Sequence, residues 1–195
     1  MSETQAVVLM NSEEFFALPD APEVRQRLVR GELKEDAVTK RNPHHSGATA
    51  ALSRLIGNWV AEQPEPRGWV YDGEAYFRIR RNPDTNVGID VAYASAELVA
   101  ATGPKDKFLD GPPVLAVEVL SPNDTIEEIS ETVEDYLDAG VRLVWIVNPF
   151  DREVKVHRQD VAAEYVNEMG VLNGDPEMPG LRIRVADLFP RRTNS

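Results

Sequence analysis

The sequence predicts a single α/β (α+β) domain, a mixed β-sheet flanked by helices. Three observations predict it. Val114-Leu115-Ala116-Val117-Glu118-Val119-Leu120 is the most apolar run of the chain and ends in the turn signal Ser121-Pro122-Asn123-Asp124, so it reads as a buried central strand. An amphipathic helix over 125–139 and a second buried strand at Val144–Val147 follow, an order that calls for a right-handed crossover between parallel strands. Strand-like pieces with turn residues between them lie on either side, and their hairpins make the sheet mixed.

Residues 12–18 suit a short helix, with Ser12 as its cap and Glu13 and Glu14 in its first turn; Pro19-Asp20-Ala21-Pro22 breaks it. Residues 23–37 carry a short strand or hairpin around Arg27–Leu33, with Gly31 as the turn. From His44 to Ala61, the residues Ala48, Ala51, Leu52, Leu55, Ile56, Trp59 and Val60 recur at amphipathic-helix spacing, and Gln63-Pro64-Glu65-Pro66 ends the pattern. Strand pieces at Trp69–Tyr71, Ala75–Ile79 and Ile89–Tyr93 are divided by Asp72-Gly73 and by Asn82-Pro83-Asp84. Residues 96–113 read as a loop with one helical turn near Ala96–Ala101. In the helix at 125–139, Ile126, Ile129, Val133, Tyr136 and Leu137 share a face, and Gly140 is the C-cap. Glu153–His157 forms a hairpin with Val144–Val147 through Pro149-Phe150-Asp151-Arg152. A strand at Leu181–Val185 and a short helix at Ala186–Phe189 close the domain, leaving Arg191–Ser195 as a loose tail.

A chain of 195 residues is long enough for one sizeable core, and no linker or repeat divides it, so residues 1–195 are read as one domain. The absence of cysteine excludes disulfides and thiolate zinc sites. No apolar stretch approaches the roughly 20 residues of a membrane helix, and the first residues lack the pattern of a signal peptide. A cytoplasmic protein with no membrane partner is the expectation. The net charge of −12 argues against a protein that coats nucleic acid. It leaves room for a metal-dependent nuclease, which needs central carboxylates and only a local basic rim.

A carboxylate inside a buried strand must be paired, hydrogen-bonded, metal-bound or protonated, because burying it alone is very costly. Glu118 stands near the C-terminal end of its strand, where open α/β sheets place ligands. Asp90 opens the strand Ile89–Tyr93 among similarly apolar neighbours. Two acids at the ends of adjacent strands can converge on one divalent cation, and magnesium takes a few carboxylate oxygens plus waters. That arrangement suits phosphodiester hydrolysis. The structural alternative makes Asp90 a strand-start residue and Glu118 the buried partner of an arginine.

The order of these features resembles the Uma family of restriction endonucleases, a branch of the PD-(D/E)XK nuclease superfamily. The resemblance is carried by Pro112-Pro113-Val114 to Pro122, an acidic helix with Tyr136, Ala139-Gly140-Val141, and Leu143-Val144-Trp145-Ile146-Val147-Asn148-Pro149. Ser12-Glu13-Glu14-Phe15, Leu18-Pro19-Asp20, Gly31-Glu32-Leu33, His44-His45-Ser46-Gly47 and Asp90-Val91-Ala92 extend it over nearly the whole chain. It implies a restriction-endonuclease-like fold and hydrolysis of DNA with Mg²⁺ or Mn²⁺. It further implies Asp90 as the metal-binding aspartate and Glu118 as the glutamate of E-x-K. Glu32 would complete the metal shell and His45 would lie beside the site. DNA is the implied partner, and a homodimer is the expected assembly.

Two positions depart from the pattern, Ile89, where the residue before the strand aspartate is usually proline, and Thr132; Leu120, where E-x-K would want lysine, is normal for the family. In the family the lysine moves to the following helix, four residues before the tyrosine; here that position is Thr132, a catalytic position without positive charge to orient water or balance a phosphate. Three readings follow: a metal-dependent DNA endonuclease, a catalytically impaired nuclease-fold homologue that binds or assembles, and a hydrolase of another phosphate ester. Lys34, Lys105, Lys107 and Lys155 are the candidate replacements for the lysine. Arg78, Arg80 and Arg81, with Arg67 and Arg41, form the best basic cluster. The acids Asp124, Glu127, Glu128, Glu131, Glu134, Asp135 and Asp138 read as a solvated face. His44 is read as helix-start polarity, His157 as hairpin surface, and Trp59, Trp69 and Trp145 as core or core-edge residues.

Overall fold

The computed structural model describes residues 9–19, 21–37 and 42–190. Asp20, Arg41 and the tail at 191–195 lie outside them. In chain order the elements are α1 (Ser12–Phe15), β1 (Val24–Val29), β2 (Glu32–Ala37), α2 (Pro43–Ala61), β3 (Trp69–Arg80), β4 (Thr85–Ala94), α3 (Ala96–Ala101), β5 (Leu115–Val119), α4 (Ile126–Asp138), β6 (Leu143–Asn148), β7 (Glu153–Arg158), β8 (Val161–Asn167), β9 (Val171–Asn173) and β10 (Arg182–Arg184), followed by a 3₁₀ turn at Val185–Leu188. The first eight strands form one mixed sheet with helices on both faces, as the sequence predicts. The crossover is also as expected: β5 and β6 are parallel, with Glu118 level with Ile146, and α4 connects them.

The sheet branches at β4. One edge of β4 pairs with β3 along almost its whole length, from Trp69↔Ala94 to Arg80↔Thr85. The other edge is shared. β1 bridges it at Leu28↔Asn86, and β5 pairs with it over Val91–Tyr93 against Leu115–Val117. Between these two contacts β5 peels away and β1 has not yet closed on β4, so the strands fork at the level of Asp90.

Hydrophobic burial sets the two layers. Ala48, Leu52, Ile56 and Val60 of α2 pack on Val91, Leu115, Val117 and Trp145, and the β9–β10 segment covers the same core with Leu172, Met178 and Leu181. On the opposite face Val133 and Tyr136 of α4 pack with Ala92, Ala116, Val144 and Ile146. Fully burying one such side chain is worth about 1.5–3 kcal/mol, so these stripes fix both helices to the sheet.

Local signals explain most boundaries. Asn42 caps α2, its side chain accepting from the His44 and His45 N–H groups, and Pro43 fills the first turn, where a missing N–H costs nothing. Thr125 and Glu128 form a reciprocal capping box on α4. Gly140 then ends that helix at φ +95°, the conformation glycine adopts most readily. The β1–β2 hairpin turns through Arg30 and Gly31, both at positive φ, as a two-residue turn demands.

Several expectations need correction. Asn11, not Ser12, caps α1; Ser12 is buried, and its N–H and hydroxyl donate to Asp84 at 2.9 and 2.5 Å, clamping α1 to the start of β4. Asp72-Gly73 is a bulge inside the continuous strand β3 rather than a turn, because β4 supplies partners on both sides of it. Strands β8 and β9 are additional to the strands the sequence predicts; β8 is a sheet edge that leaves Val161 and Tyr165 exposed, so it lacks a burial alternation to read. Ile126 is 79% exposed, before the buried stripe of α4 begins. Trp145 is fully buried and Trp59 half-buried, as expected, whereas Trp69 is exposed.

Candidate functional site

Asp90 lies in the fork. Its side chain is 6% exposed and its Oδ2 accepts from the backbone N–H of Val119 at 2.9 Å. That N–H lies beyond the end of the β4–β5 ladder, so the carboxylate satisfies a donor that the diverging strand leaves behind. The same oxygen lies 3.2 Å from Nε2 of His45, which donates to it. His45 extends the buried stripe of α2 by one turn (45, 48, 52, 56, 60), which is why it faces the sheet and is itself buried. Its Nδ1 is buried without a hydrogen-bond partner. Burial pushes the Asp90 carboxyl up, but the bonds from His45 and Val119, with the charges of His45 and Arg25, outweigh it and hold the group below the usual carboxylate range.

Glu118 faces the other helix layer. Its Oε1 accepts from the Tyr136 hydroxyl at 2.6 Å, and its Oε2 is 3.9 Å from Nη2 of Arg25. Burial raises the Glu118 carboxyl to about 8, and the negative charge of Asp90 adds to the shift; Arg25 and the Tyr136 bond only partly oppose them. Burial and then the Glu118 charge also push the Tyr136 phenol well above its ordinary value, so it remains a donor. Two carboxyl groups from neighbouring strands therefore share a poorly solvated space with too little positive charge. One is ionised and the other holds its proton to near neutrality. Such a donor set fits a hard divalent cation that retains several waters.

Other predicted residues are placed elsewhere. Glu32 is exposed and ion-paired with Lys34 at 3.1 Å, at the opposite end of β2 from the fork. The strand registers put it level with Val29, five residues along the sheet from the level of Asp90, on the order of 17 Å. Asp36 is the β2 acid opposite Arg25, and it pairs with Arg27 at 2.8 Å. Thr132 is half-buried on α4, one turn before Tyr136 and on the same face. His44 is exposed and lies near the Phe150 ring, and His157 is half-buried. Among the described residues, no group of three or more His, Cys, Asp or Glu converges as a metal cluster, so the three-carboxylate shell with Glu32 is not formed.

The lysine candidates are also dispersed. Lys107 donates to the Phe16 carbonyl, Lys155 lies over the Tyr165 ring, and Lys105 is exposed in its loop. The basic cluster around Arg78 is internal: Arg78 and Arg81 both engage Asp110, and Arg78 also approaches Asp84 and Glu13. The acidic residues of α4 are mostly exposed, as expected of a solvated face. Sequence reasoning missed Arg25 and Arg27, although their alternation in Val24-Arg25-Gln26-Arg27-Leu28 places both on one strand face.

The sequence profile of the Uma2 family, described as "Putative restriction endonuclease", matches residues 12–186. The chain belongs to the Uma2 family. Among solved structures, the crystal structure of a "putative nuclease" belonging to DUF820 from Anabaena variabilis superposes with a TM-score of 0.72 at 16% identity, covering 90% of this chain and 95% of that one. At that identity the likeness concerns the fold, which is restriction-endonuclease-like. A comparison with curated proteins returned no match. Among the described residues no helix is long and apolar enough to cross a membrane.

Proposed function

We propose that this Uma2 protein is a metal-dependent DNA endonuclease in which Asp90 and Glu118 hold Mg²⁺ or Mn²⁺. The observation that carries this reading is the placing of Asp90, bonded to His45 and the Val119 N–H, and Glu118, bonded to Tyr136, on neighbouring strands at the fork, where burial and the charge of Asp90 raise the Glu118 carboxyl to about 8. A divalent cation would discharge that proton and neutralise both groups. When bound, the cation supplies polarisation of a phosphoryl oxygen and acidification of a water. The protein's own groups fix the geometry: His45 and the Val119 N–H orient Asp90, and Tyr136 holds Oε1 of Glu118. DNA is the proposed substrate, the cytoplasm the proposed compartment, and a second copy of the chain the proposed partner, which light scattering would detect.

Calorimetric titration with Mn²⁺ tests the cation. The wild type is expected to bind and the Asp90→Ala, Glu118→Ala double variant is not; equal binding by both defeats the proposal. Divalent-dependent nicking of plasmid DNA tests the activity, and cleavage should vanish in Glu118→Ala. Thr132 favours a second reading, a binding module with impaired catalysis, because it brings no charge to the α4 face. Metal and DNA binding without nicking by the wild type would establish that reading.

A further inference from the structure

We propose that the outer edge of β8 pairs with β8 of a second copy of the chain, antiparallel and centred on Ala163, so that two sheets join into one. The inference rests on the second copy proposed above and not on the nuclease reading. β8 ends the strand order, and among the described residues no strand pairs with its outer edge. Such an edge leaves a row of backbone N–H and C=O groups open to another strand, and chains usually blunt it with charged residues or proline. β2, at the other end of the order, is blunted in this way: four of its six residues, Glu32, Lys34, Glu35 and Asp36, are charged. β8 is not. Its seven residues, Val161-Ala162-Ala163-Glu164-Tyr165-Val166-Asn167, carry one charge and no proline. Large apolar side chains are left outside there too. Val161 (63%), Tyr165 (64%), Met169 (91%) and Val171 (47%) are all exposed within residues 161–171, whereas Leu9, Trp69, Ile126 and Phe150 stand singly in the sequence. A group of this kind marks an interaction surface; single exposed residues do not.

The strand's own sequence points to a second copy as the occupant. In an antiparallel pair about a two-fold axis, each contact is made twice, and the residue on the axis meets itself. Centring the pair on Glu164 sets two carboxylates directly opposite, which is destabilising. Centring it on Ala163 sets Val161 against Tyr165 of the partner subunit and Glu164 against Ala162 of the partner subunit. Val161, Ala163 and Tyr165 share one face of the strand by period two, the face away from buried Val166. This register therefore covers both exposed side chains with an aromatic–β-branched pair, a favourable cross-strand combination. Charge leads to the same occupant. With a net charge of −12, two copies repel over most of their surfaces. A basic partner is drawn to acidic faces such as that of α4, whereas a like-charged partner can approach at β8, where the one carboxylate meets alanine.

The chain has no cysteine, so a single introduced thiol can form a disulfide only between two copies. Ala163→Cys sets two cysteines opposite each other across the axis with Cα atoms about 4.5–5.5 Å apart, within the range a disulfide spans. The two thiols of Val161→Cys stand four residues apart along the ladder, roughly 13 Å, and are out of reach. The test uses the full chain. Light scattering of the wild type should give twice the monomer mass, and added salt should tighten the dimer by screening like charges. Air oxidation should convert most of Ala163→Cys and little of Val161→Cys to a covalent dimer on a non-reducing gel. Ala163→Glu, which abuts two carboxylates at the axis, should weaken dimerisation about tenfold with the circular dichroism unchanged. A wild type that stays monomeric at every concentration and salt level would overturn the pairing together with the second copy. A dimer that neither cross-links at position 163 nor responds to Ala163→Glu would overturn the pairing alone and leave the second copy standing. Equal cross-linking at positions 161 and 163 would also overturn it, because the register would then be absent.

Discussion

Replacing Glu118 with glutamine should stabilise the metal-free protein at alkaline pH, an unusual result for a buried residue at a functional site. Glutamine keeps the shape and an acceptor for the Tyr136 hydroxyl. The carboxyl has an ordinary value of 4.5 and is held at about 8 in the folded chain. Because the folded value is raised, the folded state binds the proton more tightly than the unfolded state. The associated stability is fully present below about pH 4.5 and is lost as pH rises through about 8. At about 1.4 kcal/mol per pH unit, the loss amounts to at most about 4–5 kcal/mol, a large share of the roughly 5–15 kcal/mol typical of a domain. Urea denaturation in chelator at pH 5, 7 and 8.5 measures it. Wild type and Glu118→Gln should be nearly equal at pH 5 and diverge by several kcal/mol by pH 8.5, with the variant more stable. Mn²⁺ should close the gap at pH 8.5 by stabilising the wild type through binding to the folded state. A constant difference across the three pH values would refute the strained-carboxylate argument.

Three further substitutions probe the same site. His45→Ala leaves the buried Asp90 carboxylate with the Val119 N–H and should cost about 1–3 kcal/mol in the same denaturation assay. Asp90 is a lowered carboxyl, so its stabilising contribution is present above its unfolded pKa and lost as pH falls; the cost of His45→Ala should therefore be larger at pH 7 than at pH 3. Tyr136→Phe removes a bond that lowers the Glu118 carboxyl, so the midpoint of the Glu118 titration, followed by carboxyl infrared absorption, should move up. Thr132→Lys places an ammonium on the face that carries Tyr136 and should raise single-turnover nicking about tenfold; an unchanged rate would mean that position 132 does not reach the phosphate.

The carboxylates were legible in the sequence because their cost is local. An acid among Val, Ala and Leu is anomalous wherever the strand lies, and both Asp90 and Glu118 are in the fork. His45 could be read from the α2 stripe, since 45 continues the spacing of 48, 52, 56 and 60. The fork itself could not be read, because it depends on β1 and β5 sharing one edge of β4, a pairing between segments far apart in the chain. Glu32 shows the same limit. Its Gly-Glu-Leu context identifies a strand start, but only the registers reveal which end of the sheet that start occupies. Asp72-Gly73 carried a turn signal that tertiary pairing overrode, turning two expected strands into one bulged strand.

The charge distribution explains why Arg25 does not stand out in the sequence. The chain carries 21 Lys and Arg against 33 Asp and Glu, and Arg78, Arg80 and Arg81 form a cluster in the sequence because they are adjacent. In the fold that cluster is consumed: Arg78 and Arg81 share Asp110, and Arg80 reaches Asp138. Adjacency in sequence thus marked a set of arginines balanced by acids from other parts of the chain. Arg25 and Arg27 instead alternate along an otherwise ordinary strand, a pattern that says only that both lie on one face. Which face that is becomes clear once β1 is set against β4. At the fork the Arg25 guanidinium donates to the Gly88 carbonyl and lies 3.9 Å from Glu118, whose carboxyl also feels the charge of Asp90. Glu127 and Glu131 lie on the exposed face of α4, so neutralising both should raise duplex affinity only modestly when read by fluorescence anisotropy at fixed salt; a large gain would mean that this face meets the duplex.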